Sequence, residues 1–145
     1  MLSRILSSAL RPRAFVRALR RRILGARGES CACAYLRRRG FLILAMNWRW
    51  RRGEIDIVAG IGHHLVAVEV KTRRRLWNLT TQELVRESQQ RGMRHLLKAY
   101  RSQHSALVRR LLLWHDRADL IIIRPTTNLG TAWLKVTHHH EHFFF

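Results

Sequence analysis

The apolar positions along this chain change period several times, and each change marks an element. Glu29, Ala32, Cys33 and Leu36 follow helical spacing. They predict a helix over residues 28–39, closed by Gly40, with Glu29 on its inward stripe. Residues 41–50 then alternate, so Leu42, Leu44, Met46, Trp48 and Trp50 would share one face of a strand, with Asn47 and Arg49 on the other. A strand over 54–59 runs into Gly60, Ile61, Gly62 and His63, and a further strand returns over 64–71. With the turn centred between Gly62 and His63, Asp56 faces Glu69 and Glu54 faces Lys71. Thr80, Thr81, Gln82 and Glu83 read as a capping box opening a long helix to about Ser102, with Leu96, Leu97 and Tyr100 on its buried side. Residues 103–116 fit helix or strand equally well. Asp119–Ile123 predicts a short buried strand stopped by Pro125, and residues 132–137 predict a last strand. The order helix, three strands, helix, strand, strand predicts an α/β fold with a mixed central sheet flanked by helices.

Length and charge sharpen this picture. The 145 residues fit one folded domain, read here as residues 25–145 behind a basic amphipathic extension over 1–24. The net charge of +19 points to nucleic acid as partner, with an anionic membrane surface as the second candidate. Residues 1–24 hold seven Arg and no acid, with apolar positions at helical spacing on either side of Pro12. That pattern fits a presequence, an interfacial helix, a DNA-gripping arm or an extension with no specific role. Cys31 and Cys33 point in different directions on the predicted helix and make neither a disulfide nor a zinc site, which fits a reducing cytoplasm. No apolar run reaches membrane-spanning length.

The acids carry the chemistry. Glu29, Glu54, Asp56 and Glu69 are the only carboxylates in the first 82 residues, among 18 Arg and Lys. Asp56 opposite Glu69 places two like charges about 5 Å apart, a repulsion of roughly 3 kcal/mol at an effective dielectric near 20. A proton, a cationic side chain or a metal must offset it. A magnesium ion takes oxygen ligands and keeps several waters, so two or three carboxylates suffice. Such an ion would suit phosphodiester hydrolysis, with Lys71 beside it to orient water or stabilise developing charge. Lys71 is informative because Arg outnumbers Lys by 25 to 3. A plain ion pair between Glu54 and Lys71 is the main structural alternative.

Several blocks carry a family resemblance: Gly28-Glu29, Ala32, Tyr35-Leu36, Gly40-Phe41, Asn47-Trp48-Arg49, Gly53-Glu54-Ile55-Asp56 and Val68 through Arg73. Together they resemble the YraN-type family of bacterial proteins, in the restriction-endonuclease-like superfamily with the PD-(D/E)xK signature, similar in outline to archaeal Holliday-junction resolvases. Arg117-Ala118-Asp119, and Val136, His138 and Phe143, resemble its later blocks. The resemblance implies an αβββαβ core. It implies Asp56 as the signature's first acid, Glu69 and Lys71 as its Glu-x-Lys, and Glu29 as the helix acid, with Mg²⁺ or Mn²⁺ held by Asp56, Glu69 and Glu29. Gln89 stands where relatives often carry Lys.

Outside that cluster, Arg49, Arg51, Arg52, Arg73, Arg74, Arg75, Trp77 and Gln89 are the expected nucleic-acid contacts, Trp77 as a base-stacking side chain. Trp48 and Trp50 read as core. His138, His139, His140 and His142 suggest zinc, although they crowd a terminal segment. The leading expectation is a metal-dependent nuclease acting on DNA, branched or single-stranded. The alternative is a nucleic-acid-binding module on the same fold without turnover. A homodimer is compatible with the superfamily, but no interface is legible.

Overall fold

The computed structural model describes residues 12–72, 87–128 and 131–141, with side chains described over 23–72, 92–124 and 135–140. Along the chain run α1 (Pro12–Arg38), β1 (Leu42–Trp50), β2 (Gly53–Ile61), β3 (His64–Thr72), α2 (Glu87–Gln103), α3 (Ser105–Arg110), β4 (His115–Asn128) and β5 (Thr131–Glu141). Among the described residues, five strands form one sheet in the order β1-β2-β3-β4-β5. β3 and β4 are parallel, and the other neighbours are antiparallel. The expected α/β architecture with a mixed sheet is therefore present.

Each face of the sheet has its own core. Ala32, Cys33 and Leu36 of α1 pack with Ile57, Val66, Val68 and Ile121 on one face. Met93, Leu97 and Tyr100 of α2, with Val108 of α3, cover Ile55, Val58, Leu65 and Ala67 on the other. The stripe at Leu97 and Tyr100 is buried as the sequence pattern indicates, each at 1% exposure, so this face of α2 is fixed by period alone. Trp48 stands edge-on to Tyr100 at a centroid distance of 5.3 Å, consistent with the core role expected for it.

The β2–β3 hairpin has the register inferred from its turn. Ile61 pairs with His64 and Ile57 with Val68, and Gly62 takes the left-handed φ of +54° that a two-residue loop requires. The start of the second core helix, at Thr80–Glu83, lies outside the described residues.

Four expectations are corrected. α1 begins at Pro12, well before residue 28, where the helical spacing places its start. β1 does not alternate cleanly: a bulge between Ile43 and Ala45 puts Leu44 and Ala45 on the same core and leaves Leu42 and Met46 exposed. Pro125 does not stop β4, which continues to Asn128. Pro125 sits opposite Leu134 in the β4–β5 ladder, where the ring removes one N–H without ending the pairing. β5 runs on to Glu141 and carries the histidine run as strand.

Candidate functional site

β2 and β3 part company at Asp56. Their ladder ends at the Ile57–Val68 pair, while β2 continues along β1 to Gly53. Ile55 and Ile57, two residues apart, lie in opposite cores, so the side-chain alternation of β2 breaks across Asp56. The Val70 N–H, beyond the last β2–β3 pair, donates instead to Asp56 Oδ2 at 2.7 Å. A side chain thus takes over from the backbone where the strands split, as a buried N–H demands.

The groups around Asp56 are those singled out from sequence. Burial is the largest influence on the Asp56 carboxyl, followed by the Glu69 charge. With a smaller push from Glu29, and against the Val70 hydrogen bond and the Lys71 charge, they push it up to about 6. Lys71 Nζ forms an ion pair with Glu69 Oε1, and both side chains are about one-fifth exposed. Glu29 accepts a hydrogen bond from Asn47 Nδ2 at 3.1 Å, and Asn47 holds a left-handed φ of +50° on β1. Gly28 lets α1 approach the end of β3: a Cβ there would stand 2.1 Å from Thr72 Oγ1. That close packing delivers Glu29 to the acid cluster.

Glu54 departs from expectation. It accepts from Arg49 Nε at 2.9 Å, across the β1–β2 ladder, rather than meeting Lys71. The split between β2 and β3 explains this, because the register that would bring Glu54 to Lys71 ends before reaching them. Among the described residues, Glu29, Asp56 and Glu69 do not bring three ligand oxygens within 4.8 Å of one another. Their donor chemistry, hard carboxylate oxygens, nonetheless fits a magnesium-class ion.

The expected nucleic-acid contacts are divided. Arg49 is bound to Glu54 but 76% exposed, and Arg51 and Arg52 are exposed at the β1–β2 turn. The Arg51 guanidinium sits 4.4 Å from the Trp50 ring centroid. Arg73, Arg74, Arg75 and Trp77 lie outside the described residues, and Gln89 falls on α2 before its described side chains begin.

A second polar cluster joins Asp119, from the Arg117-Ala118-Asp119 block, to His138 and His140 of the histidine run. Asp119 on β4 is buried and accepts from Arg117 Nη2 at 2.9 Å, with His138 Nε2 at the same distance. Burial alone would raise its carboxyl. Hydrogen bonds from His138 and Arg117, with their charges, outweigh that and hold it below its ordinary value. His138 also meets the rings of Tyr35 and Phe41 at 5.6 and 5.9 Å. The alternation of His138 and His140 was visible in sequence but lost its meaning once the last strand was ended at residue 137.

Fold and cluster together define an α/β protein with an acid and lysine site at the splitting edge of a mixed sheet. Residues 28–123 match the family described as uncharacterised protein family UPF0102, and the chain belongs to that family. This is the YraN-type family whose blocks it resembles. It is 51% identical over 73 residues to a UPF0102 protein of Rhodococcus opacus, covering 50% of this chain and 62% of that one. A UPF0102 protein of Acidothermus cellulolyticus is 43% identical over 86 residues, covering 59% of this chain and 65% of the relative. One from Carboxydothermus hydrogenoformans is 40% identical over 112 residues, covering 76% of this chain and 89% of the relative. The chain thus spans less than two thirds of the first two relatives and most of the third.

Proposed function

We propose that this chain is a metal-dependent nuclease built on the restriction-endonuclease-like αβββαβ core, hydrolysing phosphodiester bonds in DNA. The observation that carries this reading is Asp56 at the split of β2 and β3, its carboxyl pushed up to about 6 by burial and by Glu69 and Glu29, with Lys71 on Glu69. Three acids gathered where two inner strands split, in a chain of net charge +19, favour a functional site over a structural ion-pair network. No helix among the described residues is long and apolar enough to cross a membrane.

Asp56, Glu69 and Glu29 would hold Mg²⁺ or Mn²⁺, which when bound supplies phosphate polarisation and a water of lowered pKa. Lys71, released from its ion pair with Glu69 as that carboxylate is engaged, would place its ammonium against the phosphate oxygen that gains charge. Water adds to phosphorus, the P–O bond to one sugar breaks, and a hydroxyl and a phosphate monoester result. Arg51 and Arg52, exposed at the neighbouring turn, would hold the backbone, with Arg49, Arg73, Arg74, Arg75, Trp77 and Gln89 as further contacts on the strand.

The test is cleavage of junction, flap and linear DNA by purified protein with Mg²⁺ or Mn²⁺. Activity above that of Asp56→Ala and Lys71→Ala is expected. Equal rates in parent and variants would exclude catalysis. One observation favours a second reading: the three acids do not converge to ligand distance. A binding module without turnover would show salt-sensitive DNA binding that survives Asp56→Ala, with no heat of metal binding.

A further inference from the structure

The histidines of β5 take no part in the proposed hydrolysis, yet the fold gathers two of them. His138 and His140 point to one face of the strand and His139 to the other. Asp119 pairs directly with His140 across the β4–β5 ladder, and Ile121 pairs with His138, so Asp119, His138 and His140 project together. Asp119 Oδ2 lies 2.9 Å from His138 Nε2 and 3.4 Å from His140 Nδ1. One ligand atom from each of the three falls within 4.8 Å of the others.

We propose that Asp119, His138 and His140 bind a transition-metal dication of the zinc class, which fastens β5 to β4. The spacing suits it. Ligands about 2.0–2.1 Å from a tetrahedral ion stand roughly 3.3 Å apart, close to the separations found. The donor set suits it as well: two imidazoles and one carboxylate select zinc-class ions over magnesium, which takes oxygen ligands. The side chains of Asp119 and His138 are 0% and 2% exposed and fixed in the sheet, whereas His140 is 48% exposed. An ion can therefore enter from solvent and keep a water as its fourth ligand.

Arg117 is the main opposing feature, since its guanidinium already holds Asp119 Oδ2. Asp119 Oδ1, however, is buried with no hydrogen-bond partner. The carboxylate has two oxygens to share, so Arg117 acts as the orienting neighbour that metal-bound carboxylates commonly have. Its positive charge keeps the affinity below that of a closed structural site. The site is separate from the acid cluster. Ile57, Val68 and Asp119 form one row across β2, β3 and β4, which places Asp119 two strand spacings, about 10 Å, from the β2 backbone beside Asp56.

The experiment is calorimetric titration of chelator-stripped full-length chain with Zn²⁺, paired with visible absorption on adding Co²⁺. A single Zn²⁺ per chain is expected, not displaced by Mg²⁺, with a d–d band from Co²⁺. His140→Ala removes an exposed ligand and leaves the buried pair in place, so it should fold. It should weaken Zn²⁺ at least about tenfold and erase the Co²⁺ band. Asp119→Asn, with a urea midpoint taken to confirm folding, should lose binding similarly. Asp56→Asn should leave Zn²⁺ affinity within about twofold, because distant sites act independently. Unchanged binding in His140→Ala, loss in Asp56→Asn, or no binding by the folded parent would each overturn the proposal. Nuclease activity can fail without touching any of these readouts.

Discussion

Asp56 is asked to carry a charge where the fold resists it. Burial and the neighbouring Glu69 and Glu29 raise its carboxyl from 3.8 to about 6, against the pull of the Val70 N–H and Lys71. The folded state therefore holds this proton more tightly than the unfolded chain. The resulting stabilisation is complete below about pH 4 and is lost as pH rises through 6. A shift of this size corresponds to about 3 kcal/mol. In chelator, urea unfolding of the parent should lose stability from pH 4 to 7 by an amount of that order, and Asp56→Asn should show a much flatter profile. At pH 8 the Asn variant should be the more stable protein, and Mg²⁺ should raise the midpoint of the parent alone. A parent profile as flat as that of the variant would mean that the acids do not burden the fold. Asp119 behaves in the opposite sense. Its lowered carboxyl stabilises the fold above its ordinary range, and that contribution falls away in acid as pH drops through the lowered value. Asp119→Ala would strand the buried Arg117 and His138 and should cost about 3–5 kcal/mol in the same assay.

At the level of elements, α1 reaches the site by packing Gly28 against the Thr72 side chain at the end of β3. A Cβ on Gly28 would press on Thr72 Oγ1, so Gly28→Ala must rotate that side chain or push the helix away. A loss of about 1–3 kcal/mol in urea unfolding is expected, together with slower cleavage, because Glu29 moves with the helix. Full activity with lost stability would show that Glu29 does not need its place. The hairpin that carries Asp56, Glu69 and Lys71 was legible in the sequence because a two-residue turn at Gly62 fixes register locally. The fate of Glu54 was not, because it depends on where a neighbouring strand ends. β3 leaves β2 at Val68, which frees Glu54 for Arg49. The bulge in β1 was hidden for a similar reason, since Leu44 and Ala45 each look acceptable in an alternating strand until both are seen on one core. His138 and His140 became a pair only when β5 proved long enough to align them with Asp119.

For the molecule as a whole, a net charge of +19 sets an electrostatic field in which the acid cluster is the exception. If the chain binds DNA as proposed, that field makes the affinity strongly dependent on salt whether or not the protein is an enzyme. If six to ten phosphates are contacted, affinity should fall by about 10³–10⁵ between 50 and 200 mM salt. Arg51 and Arg52 are exposed at the turn that leads into β2, only a few residues before Asp56. The double change Arg51→Ala/Arg52→Ala should weaken binding evenly across DNA sequences and reduce the steepness of the salt plot by about 2, one unit for each lost phosphate contact. Asp56→Asn removes a negative charge from the same field, so it should leave binding intact or tighten it while cleavage disappears. The pair of variants separates the two roles, because one changes how DNA is held and the other what happens to it. If the arginine variant leaves the salt plot unchanged, the β1–β2 turn does not face the nucleic acid, and the strand must approach Asp56 from another side of the sheet.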